Sequence, residues 1–411
     1  MLNSEKMIAS IQNQDLVHAD TYFERALKED NSEVLLELAE YLESIGYLPQ
    51  AKRIYLKERT EFPEVNINLA QIAAEDGDMD GAFLYLDAIP EESSDYLSAL
   101  LVMADLYDME GLTDVAREKL LEASYLSDNP LVIFGLAEIE FELENYNQAI
   151  KEYAKIDNRD ILELTGVSTY QRIGRAYASL GKFEAAIEFL EKSIEIEFEE
   201  HAVFELATIL YDQEEYQKAN LYFKQLDAMN PDFVGYEYVY SLSLHEEHET
   251  KKALRIVQQG LAKNEFDVNL LLAASRFSYE LHDSSQAEAY LLKAKKIAED
   301  DDEILMRLTN LYIEEERFEE VIALDREDID SLLTKWNIAK AYQAHGDDEK
   351  SLTIYESLAI DLADNPEFLQ DYAYLLREFG YYDRMQDVVK RYLNLVPDDI
   401  DMAGFLDESN L

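Results

Sequence analysis

The chain has 411 residues, of which 88 are acidic and 36 basic, giving a formal charge of −52. Such a field repels nucleic acid and anionic lipid and favours basic partners, although Glu-rich solvated helix faces produce the same balance. The absence of cysteine excludes disulfides, thiolate metal sites and cysteine nucleophiles, and fits a reducing cytoplasm.

The opening stretch, residues 1–20, has neither a basic start nor a long apolar run, so no signal peptide is expected there. No window approaches the apolar length of a membrane span, so direct membrane insertion is not expected and the protein reads as cytoplasmic. From that point a small residue recurs through the chain as a ruler: Met7 (a poor match), Ala39, Ala70, Ala104, Ala137, Gly174, Ala207, Ser241, Ser275, Thr309, Ala339 and Ala373. Nearly every interval lies close to 34 residues, a period that unrelated helices would not keep. Seven residues after the ruler stand Gly46, Gly77, Gly111, Gly181, Gly346 and Gly380, where a helix can end in the left-handed conformation that other residues resist. A second small residue follows at Ala19, Ala51, Ala82, Ala116, Ala149, Ala186, Ala219, Ala253, Ala287 and Ser351. Four further on come large apolar residues such as Phe23, Tyr55, Tyr153, Leu190 and Tyr355, on the same face of a second helix.

The unit is fullest between Tyr170 and Pro231. Tyr170, Ile173, Gly174 and Tyr177 mark one helix, Gly181 breaks it, and Ala186, Leu190 and Ser193 mark the next. Val203, Leu206, Ala207 and Leu210 then begin again, followed by Ala219, Phe223, Leu226 and Pro231. This pattern resembles the tetratricopeptide repeat, a helical hairpin with small and large apolar residues at fixed offsets. The resemblance covers essentially the whole chain. It implies an all-α fold, a right-handed superhelical solenoid of about 12 tetratricopeptide helical hairpins, residues 1–411 forming one array.

Two intervals depart from the period. DNRDILELTG lengthens one before the best-formed unit, and LDREDID leaves the second helix of the tenth unit short, with Val321 in the Ala slot. Kinks are therefore expected at 158–166 and 326–330, dividing the array into sub-blocks 1–157, 167–325 and 331–411; drift in loop length is the alternative. The weak first hairpin and the tail after Pro397 read as caps, whose outer face meets water.

No phosphate-binding glycine loop appears, and no catalytic set or cofactor site stands out. His245 and His248 are three apart rather than the four a zinc-protease helix needs, so a solvated turn is expected there and no metal. Asp76, Asp78 and Asp80 with Gly81 resemble the start of a calcium loop, but Gly77, Ala82 and Leu86 already have places in the hairpin.

In the tetratricopeptide family the first helix of each hairpin lines a concave surface. The resemblance implies that Phe134, Phe141, Arg175, Phe204, Tyr211, Tyr238, Arg276, Tyr279, Trp336, Lys340, Tyr374 and Arg377 face that groove, with Glu33, Glu40, Glu43, Glu64, Asp105 and Asp108 toward the amino-terminal end. Exposed aromatics with arginine make the composition of a binding hot spot; packing against the next repeat is the alternative. A family variant clamps a terminal carboxylate with basic and Asn residues from successive first helices. Around Arg175 the neighbours are Glu138 and Thr208, which do not reproduce it. Residues 251–296 form a basic island, eight basic against five acidic, placed mainly on second helices. The expected function is a non-enzymatic scaffold or adaptor holding a peptide or partner helix, or else a targeting or regulatory subunit of an enzyme on a separate chain. The partner is expected to be a protein or peptide and not a nucleic acid, and the sequence sets no oligomeric state.

Overall fold

The computed structural model of the chain describes residues 2–407. They form two compact units, which divide between residues 209 and 210, and 26 α-helices with no strand among the described residues.

In the first unit the helices run α1 (Asn3–Gln12), α2 (Leu16–Glu29), α3 (Ser32–Ser44), α4 (Leu48–Glu58), α5 (Asn66–Glu75) and α6 (Met79–Leu86). They continue with α7 (Tyr96–Met109), α8 (Thr113–Leu126), α9 (Pro130–Glu142), α10 (Tyr146–Tyr153), α11 (Asn158–Thr165), α12 (Thr169–Ser179) and α13 (Phe183–Ile196). Helix α14 (Glu200–Asp212) runs across the division. In the second unit follow α15 (Tyr216–Met229), α16 (Tyr236–Glu246), α17 (Thr250–Lys263), α18 (Val268–Glu280), α19 (Ser284–Lys295) and α20 (Asp302–Glu314). The remainder are α21 (Phe318–Ile322), α22 (Leu332–His345), α23 (Asp348–Leu358), α24 (Pro366–Glu378), α25 (Tyr382–Leu395) and α26 (Ile400–Gly404).

Local chemistry starts these helices. Asn31, Asn129, Ser168, Asp267, Ser331 and Asn365 each accept a backbone N–H at the head of a first helix, and Pro130 and Pro366 occupy first positions where no N–H is missed. The turn inside each hairpin is equally regular. Gly46, Gly77, Gly111, Gly181, Gly346 and Gly380 have φ between 69° and 82°. The same slot elsewhere holds Gln14, Glu144, Glu214, His248, His282 and Glu316, all at φ between 58° and 63°. The turn is therefore a property of the hairpin and not of glycine, and six side chains are held in a conformation they resist.

Small residues let the paired helices touch. Ala39 and Ala51, Ala137 and Ala149, and Ala339 and Ser351 are fully buried. Gly174 makes a close approach of this kind: a methyl there would stand 2.8 Å from Leu190 Cγ and 3.2 Å from the Ala186 carbonyl. Large residues on the second helices, Phe23, Tyr55, Tyr153 and Tyr355 among them, fill the space between successive hairpins and are at most 2% exposed.

The insertion before α12 is itself helical. Buried Asn158 pins α11 to the head of α12, its Oδ1 accepting from Ser168 Oγ and Thr169 Oγ1, both at 3.0 Å, and from the Tyr170 N–H at 3.4 Å. Residues 326–330 form a turn after the five-residue α21, with Ile329 buried and Arg326 held by Asp301. The tail caps the second unit, since Met402 and Phe405 are buried in its terminal apolar cluster with Val389 and Tyr392.

Candidate functional site

Within each unit, side-chain contacts tie several successive first helices together. In the first unit Arg172 of α12 meets Glu138 of α9 at 2.9 Å, and the same carboxylate accepts the Tyr153 hydroxyl at 2.5 Å. Burial, then Glu138, pushes the Tyr153 phenol far above its ordinary range. Arg175 lies over the Phe141 ring at 5.6 Å and pairs with Glu205 at 3.2 Å. Burial nevertheless raises Glu205, because desolvation outweighs the guanidinium. Phe134 tilts against Tyr153, Phe141 packs edge-on to Tyr146, and Phe204 is half-buried. On α7, partial desolvation and the neighbouring Asp108 carboxylate hold Asp105 above the usual carboxylate range.

The second unit presents a cleft of about 440 Å³ between α18 and α20. Ala287, Leu291 and Leu311 form its floor, and Arg276, Tyr279, Arg307 and Asn310 its rim. Arg276 is steered by two neighbours: its Nε donates to Glu280 at 3.1 Å, and Nη2 approaches His245 Nδ1 at 3.4 Å. His245 Nε2 in turn meets Glu280 at 2.6 Å while its ring stacks on Phe277. His245 is thus not in a solvated turn; it belongs to α16, and His248 takes the turn. Arg307 donates to Glu303 at 2.6 Å and to the Leu272 carbonyl at 3.3 Å. The Tyr279 hydroxyl donates to Glu314, and that bond raises its pKa. Tyr238 and Tyr279 remain 37% and 42% exposed.

Of the other expected groove residues, Tyr211 and Trp336 are more occupied, while Tyr374 stays 41% exposed. Tyr211 is half-buried against Tyr216. Trp336 is 6% exposed: its Nε1 donates to Tyr355 Oη at 3.3 Å, Phe368 meets it edge-on, and the Lys340 ammonium lies 3.9 Å from its ring centre. Lys340 also pairs with Asp371 at 2.8 Å. Tyr374 and Arg377 lean on the capping Phe405, at 5.1 and 4.5 Å between centres.

One alignment escaped the sequence reading. Arg276, Asn310 and Lys340 each follow the ruler residue directly, in Ser275-Arg276, Thr309-Asn310 and Ala339-Lys340, so they take equivalent places on α18, α20 and α22. The signal was available by reading that offset along every hairpin instead of around Arg175 alone. Arg307, one turn before Asn310, was also missed.

Known sequence families agree with this geometry. Family models match as YpiA-like C-terminal tetratricopeptide repeats over 333–399, YpiA-like tetratricopeptide repeats over 108–161, and a tetratricopeptide repeat over 167–200. The ARM repeat of tetratricopeptide repeat protein 21 matches 4–111. The chain is a tetratricopeptide repeat protein. A curated relative, the TPR repeat-containing protein YpiA of Bacillus subtilis (strain 168), is 26% identical over 319 residues, 76% of this chain and 75% of its own. Among solved structures, a tetratricopeptide repeat protein from Parabacteroides merdae ATCC 43184 is 16% identical and covers 61% of this chain and 98% of its own, with a TM-score of 0.41. The APC/C hetero-tetramer Cut9-Hcn1 is 13% identical and covers 98% of this chain and 94% of its own, with a TM-score of 0.37. Among the described residues, no helix of this repeat protein is long and apolar enough to cross a membrane. Stacked repeats of this kind are scaffolds for protein–protein interaction.

Proposed function

We propose that this repeat protein is a non-enzymatic cytoplasmic scaffold that holds a peptide or helix of a partner protein against the first helices α16, α18 and α20. The observation that carries this reading is the cleft between α18 and α20, where an apolar floor lies beneath two arginines and an exposed tyrosine. Aromatic and arginine side chains around a pocket that can exclude water are the usual composition of a binding hot spot. The floor suits an apolar side chain of the partner, and a carboxylate beside that side chain would compete with Glu280 and Glu303 for Arg276 and Arg307. Trp336 supports the next hairpin from within and is not a contact in this reading.

The test compares wild type with a Tyr238→Ala, Arg276→Ala, Tyr279→Ala triple variant in affinity capture from native cytosol. All three side chains are exposed, so helicity by circular dichroism should be unchanged. A prey held by wild type and lost by the variant is the expected result. Equal retention of every prey refutes the reading.

A further inference from the structure

In the first unit, charge is sorted by helix. The first helices α3, α5, α7 and α9 hold ten acidic side chains and no basic one, whereas their hairpin partners α4, α6, α8 and α10 hold six of each. General acidity would place acids on both helices of a hairpin alike. The residue directly after the ruler, basic or Asn on α18, α20 and α22, is here Glu40, Gln71, Asp105 and Glu138. One turn earlier, three residues before the ruler, the same helices carry Leu36, Ile67, Leu101 and Phe134, all half-buried. An apolar lane thus runs beside an acidic one across successive first helices.

Glu40 and Asp105 also lack a partner that their equivalents have. At four other junctions the residue after the ruler reaches the residue two before the ruler on the next first helix. Glu138 meets Arg172 at 2.9 Å, Arg175 meets Glu205 at 3.2 Å, Asn310 meets Asn337 at 2.5 Å and Lys340 meets Asp371 at 2.8 Å. For Asp105 that place falls on Gly135, which has no side chain to answer it. For Glu40 it falls on Asn68, whose amide donates to Glu43 at 3.1 Å instead. Asp108, one turn after Asp105, has its Oδ1 shielded from solvent without a hydrogen-bond donor. Desolvation, then the Asp108 charge, holds Asp105 above the usual carboxylate range. A cationic group laid along this lane would supply the missing donors and relieve the like-charge pair.

We infer that the face of α3, α5, α7 and α9 docks a lysine- or arginine-rich segment of a partner protein, with apolar residues among its cations. The cations would meet Glu40, Glu43, Asp105 and Asp108, and the apolar side chains would lie along Leu36, Ile67 and Leu101. The −52 field of the chain draws such a segment in and opposes a second copy. This surface lies within the first unit and is independent of the cleft between α18 and α20.

The probe is a fluorescein-labelled peptide of lysine and leucine in equal number, titrated with the full chain at physiological ionic strength and followed by fluorescence anisotropy. Saturable binding is expected. Glu40→Gln, Glu43→Gln, Asp105→Asn and Asp108→Asn together should weaken it about tenfold or more. A control variant loses as many charges from exposed positions on second helices, by Asp20→Asn, Asp80→Asn, Asp114→Asn and Glu118→Gln. It should bind within about twofold of wild type, with helicity unchanged in both variants. Replacing the leucines of the peptide by serine should weaken binding several-fold. The Tyr238→Ala, Arg276→Ala, Tyr279→Ala variant should bind as wild type does, so this site and the α18–α20 cleft fail separately. Equal weakening by the face and control variants would reduce the effect to bulk charge and overturn the inference. Absence of saturable binding, unchanged binding by the face variant, equal binding of the serine peptide, or loss in the Tyr238→Ala triple variant would overturn it too. A dimer in sedimentation velocity that dissociates in the face variant would assign the face to a second copy and overturn the partner assignment.

Discussion

Six hairpin turns hold a non-glycine residue at φ between 58° and 63°, and this makes a quantitative test of the repeat register. Take Glu144, Glu214 and Glu316, all exposed. The left-handed conformation costs a side-chain-bearing residue roughly 1–2 kcal/mol. Glycine removes that cost but adds about 0.4–1 kcal/mol of backbone entropy to the unfolded chain. Each Glu→Gly change should thus stabilise by about 0.5–1 kcal/mol, and the three, lying in separate hairpins, should add to about 1.5–3 kcal/mol. Losing a negative charge from so acidic a chain would also stabilise, so Glu→Gln at the same positions serves as control: it removes the charge but keeps the strained backbone. The mirror experiment is Gly77→Ala or Gly111→Ala. A methyl there meets nothing within 4 Å, so only the backbone penalty of about 1 kcal/mol remains. Because a repeat array need not unfold in one step, local hydrogen exchange of each hairpin should accompany the urea midpoint. If the glycine variants are no more stable than their Gln controls, or if Gly77→Ala is neutral, the turn conformation argued here is wrong.

Gly174→Ala should cost about 1–3 kcal/mol by overpacking against Leu190, seen as a lower thermal midpoint, in contrast to the purely conformational penalty at the turns. Trp336→Ala should destabilise by about 3–5 kcal/mol in urea unfolding, since the indole fills a closed site between Tyr355 and Phe368. Tyr238→Ala should shift the same transition by less than about 0.5 kcal/mol. Asp105→Asn should raise the thermal midpoint at neutral pH. The folded carboxyl is held above its unfolded pKa, so the folded state binds the proton more readily; wild type regains ground as pH falls through the carboxylate range, and the advantage of Asn disappears in acid.

Much of the fold was legible because its rules are local. A small residue every 34 or so, a turn seven later and another small residue five after that are short-range requirements of one hairpin, repeated until chance cannot supply them. Even the turns without glycine were legible by offset, once the six glycines had set the register. The inserted decapeptide was harder: its helix depends on Asn158 finding Ser168 and Thr169, a tertiary contact that spacing does not announce.

What the sequence by itself determined, then, is the all-helical repeat, its register, its acidity and the direction each first-helix side chain leaves its own helix. What the tertiary structure alone decided is whether that side chain ends in space or in a neighbour. Tyr279 and Trp336 are aromatic residues assigned by the same rule, yet one stays 42% exposed and the other is closed in by Tyr355, Phe368 and Lys340. The difference lies in contacts with residues up to a whole repeat away, and in how closely adjacent helices approach. Periodicity fixes an angle around one helix axis; exposure depends on the distance to the next helix, which only packing sets.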